Sequence, residues 1–223
     1  RELEEERIRE LQSYLAVTGL QDYTLTAAEQ TALNAFDSLE WREFRIGDLF
    51  EKLNLRFKKS KFEKDTDISK IRTEVYSLPL VNAKDGDNGV MYYGKPEDFE
   101  SAEMTIDIVN DGAVSTGNVY SQPQKTGVLY NAYLIKPKFT ATTQTLHFFT
   151  ASIFKSIKTK FGYEYKASWD RVQAENISLP VRDGAPDYAA MQDFISAVQK
   201  LVIKDVVKYA DDKIAAAKEV VED

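Results

Sequence analysis

The 223-residue chain contains no cysteine and a single histidine, His147. The first absence removes disulfides, thiolate nucleophiles and cysteine-based zinc or iron–sulfur sites together. The second leaves Ser-His and Cys-His triads, and histidine-ligated transition metals, without support. His147 sits in Leu146-His147-Phe148-Phe149, an apolar stretch in which a lone imidazole is more often a hydrogen-bonded core residue than a base. No apolar run approaches the roughly 18 residues that cross a bilayer. Arg1 to Glu10 is charged and lacks the apolar stretch of a secretory leader, so a cytoplasmic protein with no membrane partner is the expectation. The phosphate-cradling patterns GxxxxGK[ST] and GxGxxG are missing. So is the Asn/Asp-Pro-Pro-aromatic tetrad of an amino-methyltransferase. Asp85-Gly86-Asp87-Asn88-Gly89 opens like a calcium loop, but Gly89 falls on a ligand position and Pro96 stands where the closing Glu is needed. Glu164-Tyr165-Lys166 matches the E-x-K fragment of a metal-dependent nuclease, yet no convincing partner carboxylate precedes it.

What is present is an uneven distribution of charge. The net charge is −7, but residues 42–84 carry eleven Lys and Arg against seven Asp and Glu, and residues 136–171 carry seven against two. Two basic islands in an acidic chain can create a local positive surface, which is what phosphate binding responds to. Clustering in sequence is also what a solvated face without a partner shows.

The pattern along the chain is mixed α and β. Residues 2–15 are helix-like, with Leu3, Ile8, Leu11, Tyr14 and Leu15 apolar and Gly19 as a stop. Thr26 followed three residues later by Glu29 is a capping box for a short helix to about Phe36. Trp41, Phe44, Ile46, Leu49 and Phe50 anchor the entry to the main domain. Strands follow: Leu78–Val81, the Asn88-Gly89 turn and Val90–Tyr93. Thr105–Val109, the turn Asp111-Gly112 and Ala113-Val114 repeat this grammar, and Val128–Ile135 is a further strand. Leu146–Phe161 is apolar at helical spacing. After an Asp183-Gly184 turn, with Pro186 suited to a first helical turn, one helix runs to the C-terminus. Its seam is Met191, Ile195, Val198, Val202, Val206 and Tyr209. Such a helix is about 50 Å long, so its seam needs cover from something other than the head, unless it folds back over the sheet. The expected organisation is an N-terminal helix and connector over 1–37, a main domain over 38–184 and a long helix over 185–223.

Three stretches carry side chains suited to duplex DNA. Ser115–Lys125 packs Thr116, Asn118, Tyr120, Gln122 and Gln124 together, and Lys84 and Asn88 are further candidates. Lys58, Lys59 and Lys61 form the second stretch. The third runs from the helical lysines Lys155, Lys158 and Lys160 through Tyr163, Tyr165, Lys166, Ser168 and Trp169. Asn and Gln bond bidentately to adenine, whereas Lys suits guanine or phosphate. Polar loops and anchoring aromatics are common in any domain, and composition alone favours that plainer reading.

A family resemblance changes the balance. Trp41-Arg42-Glu43-Phe44-Arg45-Ile46-Gly47-Asp48-Leu49-Phe50 resembles the opening of target recognition domains in the specificity subunits of type I restriction–modification systems. Leu78–Val81 followed by Asn88-Gly89-Val90 is similar to that family's first strand and turn, and Thr105-Ile106 to its central strand. Lys166–Arg171, running on to Ile177-Ser178-Leu179-Pro180, resembles its closing element before a helical spacer. The resemblance implies an α+β, mostly antiparallel recognition domain with packed helices, followed by a long coiled-coil-type helix. It implies a non-catalytic subunit that binds one part of a split DNA site. Its partners would be double-stranded DNA, DNA methyltransferase subunits and, through them, restriction subunits. With one recognition domain the chain is either the second half of a longer subunit or a half-subunit whose C-terminal helix pairs with a second copy. No cofactor would belong to this chain; S-adenosylmethionine, ATP and Mg would belong to the partners. A protein-interaction scaffold without DNA readout, and a metal-dependent nuclease, are the competing expectations.

Overall fold

The computed structural model describes residues 23–222, together with Glu6, Arg9, Glu10, Ser13, Ala16 and Val17, which are helical. The apolar positions expected for the first helix, and its stop at Gly19, lie outside the described residues. The chain divides into two compact units, one spanning Glu40–Tyr188 and a helical one formed by residues before 40 and after 188.

The larger unit is α+β. Its strands are β1 (Trp41–Arg45), β2 (Phe50–Lys52), β3 (Ile68–Ser69), β4 (Leu78–Val81), β5 (Val90–Gly94), β6 (Thr105–Val109), β7 (Val119–Gln122), β8 (Gly127–Val128), β9 (Ala132–Pro137), β10 (Asn176–Arg182) and β11 (Ala185–Pro186). They form three sheets, ordered β1-β10-β11, β2-β9-β6-β7 and β3-β5-β4-β8. Every pairing is antiparallel except β4 with β8. Strand β6 lies between β9 and β7 and is buried along its whole length.

Helix α1 (Ala27–Ala35) belongs to the helical unit. In the larger unit, α2 (Ile46–Leu49) and α3 (Lys64–Asp67) are single turns. Helix α4 (Thr143–Ile157) is the main one: Thr142 and Thr145 close a capping box at its start. Leu146, Phe149, Ile153 and Ile157 repeat every three or four residues and are fully buried, packing toward β6, β7 and β10. Burial of each such side chain stabilises the fold by about 2 kcal/mol. The helix begins and ends earlier than its apolar spacing suggests, because the hydroxyls of Thr142 and Thr145 supply a start and the chain turns after Lys158. A further single turn, α5 (Trp169–Val172), precedes β10.

Three expectations fail in instructive ways. The strand foreseen over 128–135 is broken: Leu129 to Asn131 form a crossing between β8 and β9, fixed where the Asn131 N–H donates to Asn82 Oδ1 at 3.1 Å. Ala113-Val114 is not a strand but the start of a tight 3-10 turn, Ala113–Ser115, with Ala113 at φ 50°. Pro186 is paired with Val181 in β11 and stands before the helix, not in its first turn. The two-residue Asp183-Gly184 turn, with φ of 53° and 82°, joins β10 to β11 as a mirror-image hairpin turn requires.

The helical unit is led by α6 (Tyr188–Glu222). Short α1 pairs with it: Phe36 stacks on Phe194 with ring centroids 4.0 Å apart. Glu29 Oε1 accepts from Ser196 Oγ at 2.6 Å and Glu29 Oε2 from Lys200 Nζ at 2.9 Å. Along the expected seam Met191 is buried, Ile195 and Val198 are half-buried, and Val202, Val206 and Tyr209 are exposed. No helix among the described residues is long and apolar enough to cross a membrane.

Candidate nucleic-acid interface

The loops at one end of the central sheet are tied into a single hydrogen-bonded network. Tyr120 Oη donates to Lys84 O at 3.2 Å and accepts from Gly86 N at 3.0 Å. Asn118 Nδ2 donates to Asp85 Oδ1 at 2.9 Å. Gln122 Nε2 donates to Asn88 O at 2.7 Å, and Asn88 Nδ2 donates to Ser121 O at 2.9 Å. Gly89, at φ 76°, makes this closure feasible: a Cβ there would lie 2.5 Å from Asp107 Oδ2. The structure therefore brings Lys84 and Asn88 together with Asn118, Tyr120 and Gln122, more than 30 residues along the chain.

Two of these five, Asn118 and Gln122, face inward, as does Thr116 nearby. Thr116, Asn118 and Gln122 are 1%, 5% and 4% exposed. A buried amide needs partners, and these find them inside the fold. Direct base-edge readout by Thr116, Asn118 and Gln122 is thus corrected to a structural role, and Tyr120 is half-buried with its hydroxyl spent on the 84–86 backbone. Asn88 and Gln124 remain exposed.

The lysines divide in the same way. Lys158 donates to Val114 O at 2.8 Å, Thr116 O at 3.1 Å and Asn118 Oδ1 at 2.5 Å. An ammonium has three hydrogens, and all are used. Burial also lowers the Lys158 pKa, against the pull of Asp85. Lys59 bridges the carboxylates of Asp67, at 3.1 Å, and Asp98, at 2.6 Å. Lys61 pairs with Glu63, Lys84 with Asp87, Lys160 with Glu175 and Lys166 with Asp111. Exposed Lys58 and Lys155 make no ion pair among the described residues. Members of the two islands meet at one place: Lys84 O accepts from Tyr120 Oη, which accepts from Asn118 Nδ2, and Asn118 Oδ1 accepts from Lys158.

Aromatic side chains supply the exposed surface. Tyr163 and Tyr165 are 76% and 52% exposed. Tyr165 stacks on Phe161, and the Arg171 guanidinium lies over the Tyr165 ring, 4.1 Å from its centroid. Trp169 is half-buried, edge-on to Tyr133, and Ser168 is half-buried with its carbonyl accepting from Arg171 N and Val172 N. Three surface residues escaped the sequence reading: Val114, Tyr130 and Arg171. Val114 and Tyr130 sit in stretches whose apolar content signals strands, and only the turn geometry turns them outward. His147 Nδ1 is 2.7 Å from Ser121 Oγ, and burial lowers its pKa, so the imidazole is neutral at pH 7. Among the described residues no group of three or more His, Cys, Asp or Glu is placed to hold a metal ion.

A family model described as the type I restriction modification DNA specificity domain matches residues 38–209. A comparison with curated proteins finds no match. Among solved structures, the S subunit of a type I restriction–modification system from M. genitalium is similar, with a TM-score of 0.49 and 14% identity over 97% of this chain and 55% of that one. The HsdS subunit from Thermoanaerobacter tengcongensis has a TM-score of 0.44 and 16% identity, covering 95% of this chain and 50% of its own. A third structure, concerned with complex assembly and conformational transition of the type I R-M system, has a TM-score of 0.44 and 16% identity, covering 99% and 54%. The chain spans about half the length of each of these structures.

Proposed function

The chain belongs to the type I restriction–modification DNA specificity family, and from that premise we propose that it is the DNA sequence-specificity component of a type I-like restriction–modification complex. The unit Glu40–Tyr188 binds one half of a two-part DNA site. The helical unit scaffolds methyltransferase subunits, and through them restriction subunits, while the exposed Val202–Val206 face of α6 receives a second copy of the chain. The chain itself is non-catalytic and works in the cytoplasm. S-adenosylmethionine, ATP and Mg serve the partner subunits.

The family match over residues 38–209 carries this reading. The 162–171 segment supports it, with Tyr163 and Tyr165 exposed, Arg171 over the Tyr165 ring and Ala167 N bonded to Asn110 O. Phosphate anchoring falls to cations that the fold does not spend on itself, Lys58 and Lys155 among them. Internal pairing of Lys59, Lys84, Lys160 and Lys166 is what a scaffold without DNA readout would equally show. Selection of bound sequences from random duplex DNA, with the chain co-expressed with a methyltransferase subunit, separates the two. A recovered consensus supports the specificity role; stable assembly with no sequence enrichment leaves the scaffold.

A further inference from the structure

The turn after β6 is inverted with respect to polarity. Its polar members, Ser115, Thr116 and Asn118, are 4%, 1% and 5% exposed, whereas Val114 is 80% exposed and Ala113 is exposed beside it. The informative half of the pattern is the burial of three polar side chains in a turn, which fixes the exposed pair in place.

The inversion is held by construction. Lys158 reaches from the end of α4 to grip the carbonyls of Val114 and Thr116 and the amide oxygen of Asn118. Thr116 Oγ1 accepts from Gly112 N at 3.0 Å, and Ser115 Oγ donates to Gly112 O at 2.8 Å. Gly117, at φ 77°, returns its N–H to Val109 O at 2.9 Å, which closes the loop onto β6. Ala113 is held at φ 50°, a left-handed conformation that costs a residue with a side chain on the order of 1 kcal/mol. A half-buried cation and a strained backbone together present two small apolar side chains at a tip. A rigid apolar tip suits an apolar group on a base edge, and in duplex DNA the C5-methyl of thymine is that group.

We propose that the Ala113–Val114 tip contacts thymine C5-methyl groups in the major groove and thereby sets part of the sequence preference. This rests on the DNA-specificity role argued above. Lys158 acts here as a positioning residue for the tip, not as a phosphate anchor.

The test uses the full chain with its co-expressed methyltransferase subunit. A consensus duplex is first selected from random DNA, and each of its thymines is then replaced singly by deoxyuridine, which lacks only the methyl. Affinity for each duplex is measured for the parent and for Val114→Thr, a change of shape-matched methyl to hydroxyl at an exposed position. The expected result is one or two thymines whose replacement weakens the parent about fourfold, the scale of one buried methyl group, and weakens Val114→Thr much less. Selection of a consensus with no thymine that behaves in this way overturns the tip inference while leaving the DNA role standing. Failure of the parent to select any consensus overturns the DNA role, and the tip inference with it.

Discussion

Lys158 and Asp107 show how far a side chain's task is set by its surroundings. In sequence Lys158 belongs to a run of helical lysines suited to phosphate; in the fold its three hydrogens close the 114–118 turn. Lys158→Met leaves three acceptors without that partner, and a stability loss of about 2 kcal/mol is expected in urea melts. Its DNA binding should keep the parent's slope of log affinity against log salt, because no phosphate anchor is removed. A slope smaller by about 0.9 would return Lys158 to the phosphate anchors. Asp107 is a fully buried acid in the middle of β6, and neither carboxylate oxygen has a hydrogen-bond donor among the described residues. It faces Gly89 and the Tyr120 ring, and its charge also helps to raise the Tyr133 pKa, after burial. Burial raises the Asp107 pKa well above the usual carboxylate value. The folded protein therefore binds this proton more tightly than the unfolded chain does. The stability this gives is complete below pH about 4 and is lost as pH rises toward the folded value, with a slope of up to about 1.4 kcal/mol per pH unit. Thermal melts between pH 5 and 9 should show that decline in the parent and a flatter profile in Asp107→Asn. The sequence displays Asp107 only as one polar residue in Thr105–Val109; its isolation depends on β7, β9 and the 86–89 turn converging on it.

Elements were legible where their signals are local. The Thr26–Glu29 capping box forms as its spacing requires: Glu29 N donates to Thr26 Oγ1 at 3.2 Å and Thr26 N to Glu29 Oε2 at 2.7 Å. The Asn88-Gly89 and Asp183-Gly184 pairs adopt the positive φ that their residue types allow. Strands β4, β5 and β6 fall where alternating and β-branched residues place them. What local pattern could not convey is pairing across the chain, and the helical unit makes this plain. The carboxylate that closes the Glu29 capping box also clamps α1 to α6 through Ser196 and Lys200, about 170 residues away. Burial pushes the Glu29 pKa up, but hydrogen bonds from Ser196, Lys200 and Thr26, and then the Lys200 charge, outweigh it and hold the value at about 2, below its usual 4.5. A lowered carboxylate pKa contributes stability that is present above pH 4.5 and is lost as pH falls toward 2. Protection factors of the 27–35 amides, taken against the intrinsic exchange rate at each pH, should fall across that window. Glu29→Gln should abolish the pH dependence and destabilise the helix pair by about 2 kcal/mol at neutral pH, since it leaves a largely buried Lys200 without its counter-charge. Unchanged exchange in that variant would mean that the Phe36–Phe194 stack alone holds the pair.

Across the molecule, charge serves two purposes that a residue count cannot separate. The two basic islands exist, but acidic neighbours take up much of each: Asp67 and Asp98 in the first, Asp111 and Glu175 in the second. An anionic chain of net charge −7 can hold DNA only through the cations left over. Lys58 and Lys155, exposed and without an ion pair among the described residues, are the candidates that differ from their neighbours in this respect. Lys58 stands next to Lys59, so the two make a matched comparison in one stretch of backbone. Lys58→Glu and Lys155→Glu should leave the melting temperature close to that of the parent, weaken DNA binding, and reduce the salt slope by roughly 0.9 for each phosphate no longer neutralised. Lys59→Met should do the reverse. It strands the nearly buried carboxylates of Asp67 and Asp98 against the Phe57–Phe62–Phe99 cluster, lowering the melting temperature by several degrees while the salt slope of the remaining folded protein stays put. Salt titrations and melts on the three variants decide the matter: a slope that falls with Lys59→Met and not with Lys58→Glu would place the DNA on the paired cations and remove the division of labour argued here.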